Sequence, residues 1–308
     1  MKPISNRRSF LQTAALGAGV FLGSPGRVAA ATDPYVRPGG SRLRLSLAAY
    51  SFLKYFPAVR GKPNAKVPEE MAMDFPKFIR LCAENGCDAE LTSYVFDDDV
   101  PDRELADCRL LGHQMAVEVS GTSIGNNFTF AKGTPERDEQ MAYTKQWIDR
   151  AMVMGAPHIR VFAGVQPKGM SLDEAERNVC EALEEAADYG ASRGVMLGVE
   201  NHDELSSTAE RLLRVVKAVK SPWLGVNLDT ANFRVDDPYP EIEACVPYAL
   251  NVQVKAFMRH GGRRETDFAK FGKILRDGGY RGYVVLEYEE KEDPYVEVPK
   301  LLNRLREL

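Results

Sequence analysis

From Leu43 to Leu308 the chain switches between two hydrophobic periodicities eight times, and few folds can absorb such a pattern. Short β-rich runs occupy Leu43–Phe52, Asp88–Phe96, Met115–Ile124, His158–Val165, Val195–Asp203, Leu224–Phe233, Asn251–Phe257 and Gly282–Tyr288. Stretches with helical spacing lie between them, at Phe75–Asn85, Asp102–His113, Pro135–Met154, Leu172–Arg193, Thr208–Val219, Tyr239–Leu250 and Phe268–Asp277, and Tyr295–Leu308 closes the chain. Gly86, Gly155, Gly194 and the Gly278-Gly279 pair follow helical stretches, where a left-handed helix stop is expected. Ser171-Leu172-Asp173-Glu174 offers a capping box for the longest helix. Eight β units, each followed by a helix, in about 270 residues predict an α/β fold of the (β/α)8 TIM-barrel type. An open doubly wound sheet would carry a glycine-rich fingerprint after its first strand, and none is present.

Two βα connections are long: residues 53–74 and residues 125–134. In a barrel both lie at the C-terminal face, where active sites are built. The first carries Lys54, Tyr55, Arg60 and Lys62 and reads as a lid or binding loop.

Ahead of the barrel, Asn6-Arg7-Arg8-Ser9-Phe10-Leu11 resembles a twin-arginine export signal. A weakly apolar stretch and the small-residue end Val28-Ala29-Ala30-Ala31 complete the three-part plan of a cleavable segment. Residues 1–31 are therefore expected to be a signal read by the twin-arginine machinery, residues 32–42 a linker, and residues 43–308 the barrel. The expected location is the periplasm. The signal holds four basic residues and no acid, so its removal takes the net charge from −4 to −8. An acidic chain is a poor nucleic-acid binder. No apolar run of about 18 residues is present, so no membrane span is expected.

Four polar residues interrupt apolar runs near the C-terminal ends of strands five to eight: Glu200, Asp229, Gln253 and Glu287. Their spacings of 29, 24 and 34 residues each equal one βα unit. In a closed barrel the four converge on one mouth. Alternation along a strand gives His202 the inward parity of Glu200, and Lys255 that of Gln253. Three carboxylates crowded at a semi-buried mouth repel one another, so some are protonated or a cation sits among them. A divalent ion is the simpler solution. An oxygen-only set suits Mn²⁺ or Mg²⁺ ahead of Co²⁺ or Zn²⁺.

Residues 199–202 (Val-Glu-Asn-His), 227–232 (Asn-Leu-Asp-Thr-Ala-Asn), 252–255 (Val-Gln-Val-Lys) and 284–287 (Val-Val-Leu-Glu) carry a resemblance. With them the chain is similar, over Leu43 to Leu308, to the xylose-isomerase-like TIM-barrel superfamily of sugar isomerases, epimerases and related lyases. The resemblance implies that Glu200, Asp229, Gln253 and Glu287 hold one divalent metal. It also implies proton abstraction next to a carbonyl through an enediolate, with Glu200 and Glu287 taking and returning the proton. The substrate implied is a small sugar or keto-sugar. Two positions depart from the pattern. Many epimerases of the family have His in place of Gln253, and Gln there resembles the 3-dehydroshikimate dehydratase branch, so a metal-dependent lyase is the alternative. Many relatives carry His in place of Asn232. A DNA-repair endonuclease of this barrel type needs several His ligands for zinc, and this chain has four His in all.

Further expectations attach to neighbouring residues. His202, Lys255 and Asn232 are placed to bind substrate or, for Lys255, to pair with a barrel carboxylate. Arg259 in the basic run Arg259–Arg264 is a candidate for an anionic substrate group, Tyr50 for an apolar wall, and Arg160 for an interior carboxylate partner. Glu289 and Glu290 read as loop charge. A non-catalytic exported sugar-binding barrel is a rival from another class, and the paired carboxylates argue against it.

Overall fold

The structure, a computed structural model, describes residues 33–64 and 67–308. The expected signal segment lies outside the described residues. Eight parallel strands close into a barrel: β1 (Arg42–Ala48), β2 (Asp88–Thr92), β3 (Val119–Ser123), β4 (His158–Val161), β5 (Met196–Glu200), β6 (Leu224–Asp229), β7 (Ala249–Val254) and β8 (Arg281–Leu286). Each pairs with its neighbours in sequence, and β1 pairs with β8 to close the ring. One main helix follows each strand: α1 (Phe75–Glu84), α2 (Asp102–Gln114), α3 (Pro135–Met154), α4 (Leu172–Arg193), α5 (Ala209–Ala218), α6 (Tyr239–Cys245), α7 (Phe268–Asp277) and α8 (Pro294–Leu305).

Local chemistry fixes the helix ends. The Ser171 hydroxyl accepts the Glu174 N–H at 3.2 Å and starts α4. Thr134, Asp74 and Asp267 cap α3, α1 and α7 in the same way. Gly155 and Gly194 close α3 and α4 at φ of 80° and 71°, a region that other residues avoid. The expected helix 239–250 is cut short: Pro247 lacks the N–H needed to continue it, the chain passes through a 3₁₀ turn, and β7 starts at Ala249.

The expected β runs overshoot the strands, mostly at the C-terminal side. The Asp88–Phe96 run, for example, is strand only to Thr92, after which Ser93–Val95 turn. These overshoots are the βα loops that form the mouth. Outward-facing Leu47, Leu91, Ile159, Val199, Leu228, Val252 and Leu286 are sealed in the apolar core that includes the helices. The barrel interior is instead polar: Ser46, Glu90, Ser120, Arg160, Asn227, Asn251 and Gln253 are all buried. The segment expected as linker packs on the barrel floor, where the Tyr35 hydroxyl donates to the Leu224 carbonyl at 3.0 Å. Among the described residues, no helix is long and apolar enough to cross a membrane.

Candidate active site

A cavity of about 490 Å³ opens at the C-terminal mouth. Glu200, Lys255, Glu287 and Glu289 line it, together with Tyr50, Arg160, His202, Asn232 and Arg259. A larger groove of about 1060 Å³ lies on the outer surface between α1 and α2, away from all of these. The expected substrate-side residues Tyr50, His202, Asn232, Lys255 and Arg259 are thus brought to one cavity. So are both expected acid–base glutamates. Asp229 and Gln253 do not reach the cavity; both are fully buried below it.

Register explains the separation. Gln253 is level with Val285 on β8 and with Asp229 on β6. Glu287 lies two residues beyond Val285, so its partner level on the β7 chain is Lys255. The expectation that the four polar residues share one depth therefore fails: Asp229 and Gln253 lie together below the cavity that Glu200 and Glu287 line. The Gln253 amide belongs to an interior chain of hydrogen bonds. Asn251 Nδ2 donates to Asn227 Oδ1 at 2.8 Å, Asn227 Nδ2 to Gln253 Oε1 at 2.7 Å, and Gln253 Nε2 to Glu90 Oε1 at 3.0 Å. Burial pushes the Glu90 carboxyl up to about 7.

Glu200 is held from two sides. Arg160 Nε lies 2.8 Å from its Oε2, and Asn232 Nδ2 donates to its Oε1 at 2.7 Å. The interior partnership expected for Arg160 is present, and it also places the guanidinium in the cavity wall. His202 stacks obliquely on Phe162, with centroids 4.3 Å apart, and its Nδ1 meets Asp203 Oδ1 at 3.0 Å. That contact raises the imidazole above its ordinary value.

Lys255 is at the centre of the remaining acids. Its Nζ lies 3.4 Å from Asp229 Oδ2, 3.3 Å from Glu287 Oε1 and 2.8 Å from Glu289 Oε1. Burial disfavours this ammonium, but Asp229, Glu287 and Glu289 outweigh it and hold its pKa well above the usual lysine range. Burial pushes the Glu287 carboxyl well up despite Lys255, with the neighbouring acids adding to the shift. Burial likewise pushes Asp229 up to about 6. Glu289, read from sequence as loop charge, is a site residue. It bridges Lys255 and Arg259, which lies 3.2 Å away. Its signal was the Glu287-x-Glu289 parity, the same alternation that singled out Lys255. Glu290 does pair outward, with Arg259 and Arg263.

Arg60, on the first long loop, lays its guanidinium 4.0 Å over the Tyr94 ring at the cavity edge. The basic run after β7 forms a small hairpin (Phe257–Met258 with Arg264–Glu265) rather than a free anion loop.

The four expected metal ligands do not fit a divalent ion as they stand. Glu200, Gln253, Asp229 and Glu287 already direct oxygens at Arg160 and Asn232, Asn227, and Lys255 respectively. Among the described residues, no group of three or more His, Cys, Asp or Glu side chains is placed to hold a metal.

Residues 79–305 match the family described as the xylose isomerase-like TIM barrel. The chain belongs to that family. A Xenopus laevis protein provisionally named hydroxypyruvate isomerase is 24% identical over 240 residues, covering 71% of this chain and 86% of its own length. Among solved structures of the xylose isomerase-like barrels, 3-keto-D-glucoside 4-epimerase from E. coli superposes with a TM-score of 0.66 at 15% identity, covering 87% of this chain and all of that one. D-psicose 3-epimerase from Clostridium cellulolyticum H10, solved with D-tagatose, gives 0.64 at 18% identity, covering 83% and 89%. At these identities the two structures establish the shared fold alone.

Proposed function

We propose that this member of the xylose isomerase-like family is an isomerase or epimerase of a small sugar or keto-sugar that removes a proton next to a carbonyl. The observation that carries the reading is that Glu200 and Glu287, from strands separated by two others, both line one cavity with Lys255 and Arg160 beside them. A carboxylate pair in one cavity can take a proton from a carbon and return it. The enediolate oxygen formed in between requires preorganised positive charge, and the wall supplies it. His202, Asn232, Arg60 and Tyr50 are the residues placed to hold hydroxyl groups and a ring face.

Return of the proton to the opposite face of the same carbon gives an epimer, and transfer to the neighbouring carbon gives an isomer. The test is a panel of free sugars, keto-sugars and 3-keto-glycosides incubated with the protein in deuterated water and followed by NMR. Deuterium entry at the carbon next to the carbonyl supports the reading. A leaving group lost without epimer or isomer would favour the lyase alternative, and no exchange with any member would refute the proposal.

We also propose that residues 1–31 export the folded enzyme to the periplasm by the twin-arginine route. Cell fractionation of the full chain and of an Arg7→Lys, Arg8→Lys double variant tests this. Retention of the variant in the cytoplasm is expected, and equal export of both would contradict it.

A further inference from the structure

A divalent ion held by Glu200, Asp229, Gln253 and Glu287 needs an oxygen from each aimed at a common point. The Gln253 amide oxygen is committed to Asn227 Nδ2 and its nitrogen to Glu90, and a positive side chain already fills the place between Asp229 and Glu287. We propose that the site carries its own cation: the Lys255 ammonium stands where the family's metal would, and the protein works without a divalent ion. The chemical role given to Lys255 rests on the function proposed above; the exclusion of metal does not.

Lys255 is well placed for the task. It is almost wholly buried, three carboxylates fix it, and it still forms part of the cavity wall. Asp229, beneath it, is closed off from the cavity and serves as its anchor. Glu289 has a second partner in Arg259, so it can yield one ammonium N–H to a substrate oxygen while keeping its own charge paired. Once that exchange is made, one glutamate takes the proton from the carbon next to the carbonyl. The C–H electron pair becomes a C=C bond, and the carbonyl π pair moves to the oxygen held by Lys255. The other glutamate, as the acid, gives a proton to carbon, the pairs return, and no further reactant is needed.

Mn²⁺ titration of chelator-treated protein, read by electron paramagnetic resonance and by thermal unfolding, tests the exclusion without any substrate. Wild-type protein is expected to bind no stoichiometric Mn²⁺ and to show the same Tm in EDTA and in Mn²⁺. Lys255→Met leaves Asp229, Glu287 and Glu289 around a neutral group. It should gain Mn²⁺ affinity by about tenfold or more, with a Tm that rises with the ion. One Mn²⁺ per wild-type chain would overturn the proposal. So would two chains that both ignore Mn²⁺, since Lys255 would then not be what excludes it. If Lys255→Met fails to fold, Lys255→Gln replaces it, and the wild-type titration stands by itself. A sugar panel without turnover would refute the proposed function and leave this result unaffected.

Discussion

Arg160 Nε lies 2.8 Å from Glu200 Oε2, and the two side chains are only 6% and 5% exposed. Removing one member of such a pair strands a buried charge, which costs about 3–5 kcal/mol. Arg160→Met is therefore expected to lower the unfolding free energy by that amount, read as a lower denaturant midpoint, and to abolish turnover. Arg160→Lys should recover part of the stability at most. The guanidinium also donates to the Ile124 carbonyl at 2.8 Å, a fork that an ammonium does not reproduce. A midpoint unchanged in Arg160→Met would show that the pair does not hold the mouth together.

On the barrel floor, the residue 33–41 segment is part of the fold. The Tyr35 N–H donates to the Pro247 carbonyl at 2.9 Å, and Arg37 donates to the carbonyls of Val246 and Ala249. Gly225 leaves room for Tyr35: a Cβ there would lie 2.3 Å from the phenol oxygen. Tyr35→Ala and Gly225→Ala should each destabilise the barrel by about 2 kcal/mol. Thermal unfolding checks this, and an unmoved Tm in both would return the segment to the status of a linker.

His158 starts β4 inside the barrel, with its ring against Gly121. Burial pushes its imidazole down to about 4. Because the folded pKa lies below the unfolded value, near 6.5, the unfolded chain binds more protons between these limits. Stability is thus fully present above about pH 6.5 and falls as the pH drops toward 4, by an amount on the order of 3 kcal/mol. His158→Gln has no such titration and should show a correspondingly flatter profile across that window. Urea midpoints at a series of pH values give the comparison; parallel profiles would contradict it.

The eight-unit plan was legible because helix caps, glycine stops and two distinct periodicities are local signals. The start of α4 at Ser171 and the stops of α3 and α4 at Gly155 and Gly194 are such signals. Strand ends were less legible, since the apolar character of runs such as Asp88–Phe96 continues into the mouth loops. Glu200 and Glu287 could be found as charges closing apolar runs. Gln253 looked equivalent, but depth inside a barrel depends on the stagger between strands, and one strand's sequence does not contain it. Glu90 sits inside an apolar run as Arg160 does, and the same reasoning would have found it.

The central claim is that Glu200 and Glu287 exchange a substrate proton across one cavity. The most direct measurement is the rate of solvent-deuterium entry next to the carbonyl of the active sugar, by NMR, in wild type, Glu200→Gln and Glu287→Gln at matched folded fraction. Both variants are expected to lose exchange by about a hundredfold or more, the scale of a general acid–base contribution. Exchange at the wild-type rate in either folded variant would contradict the account.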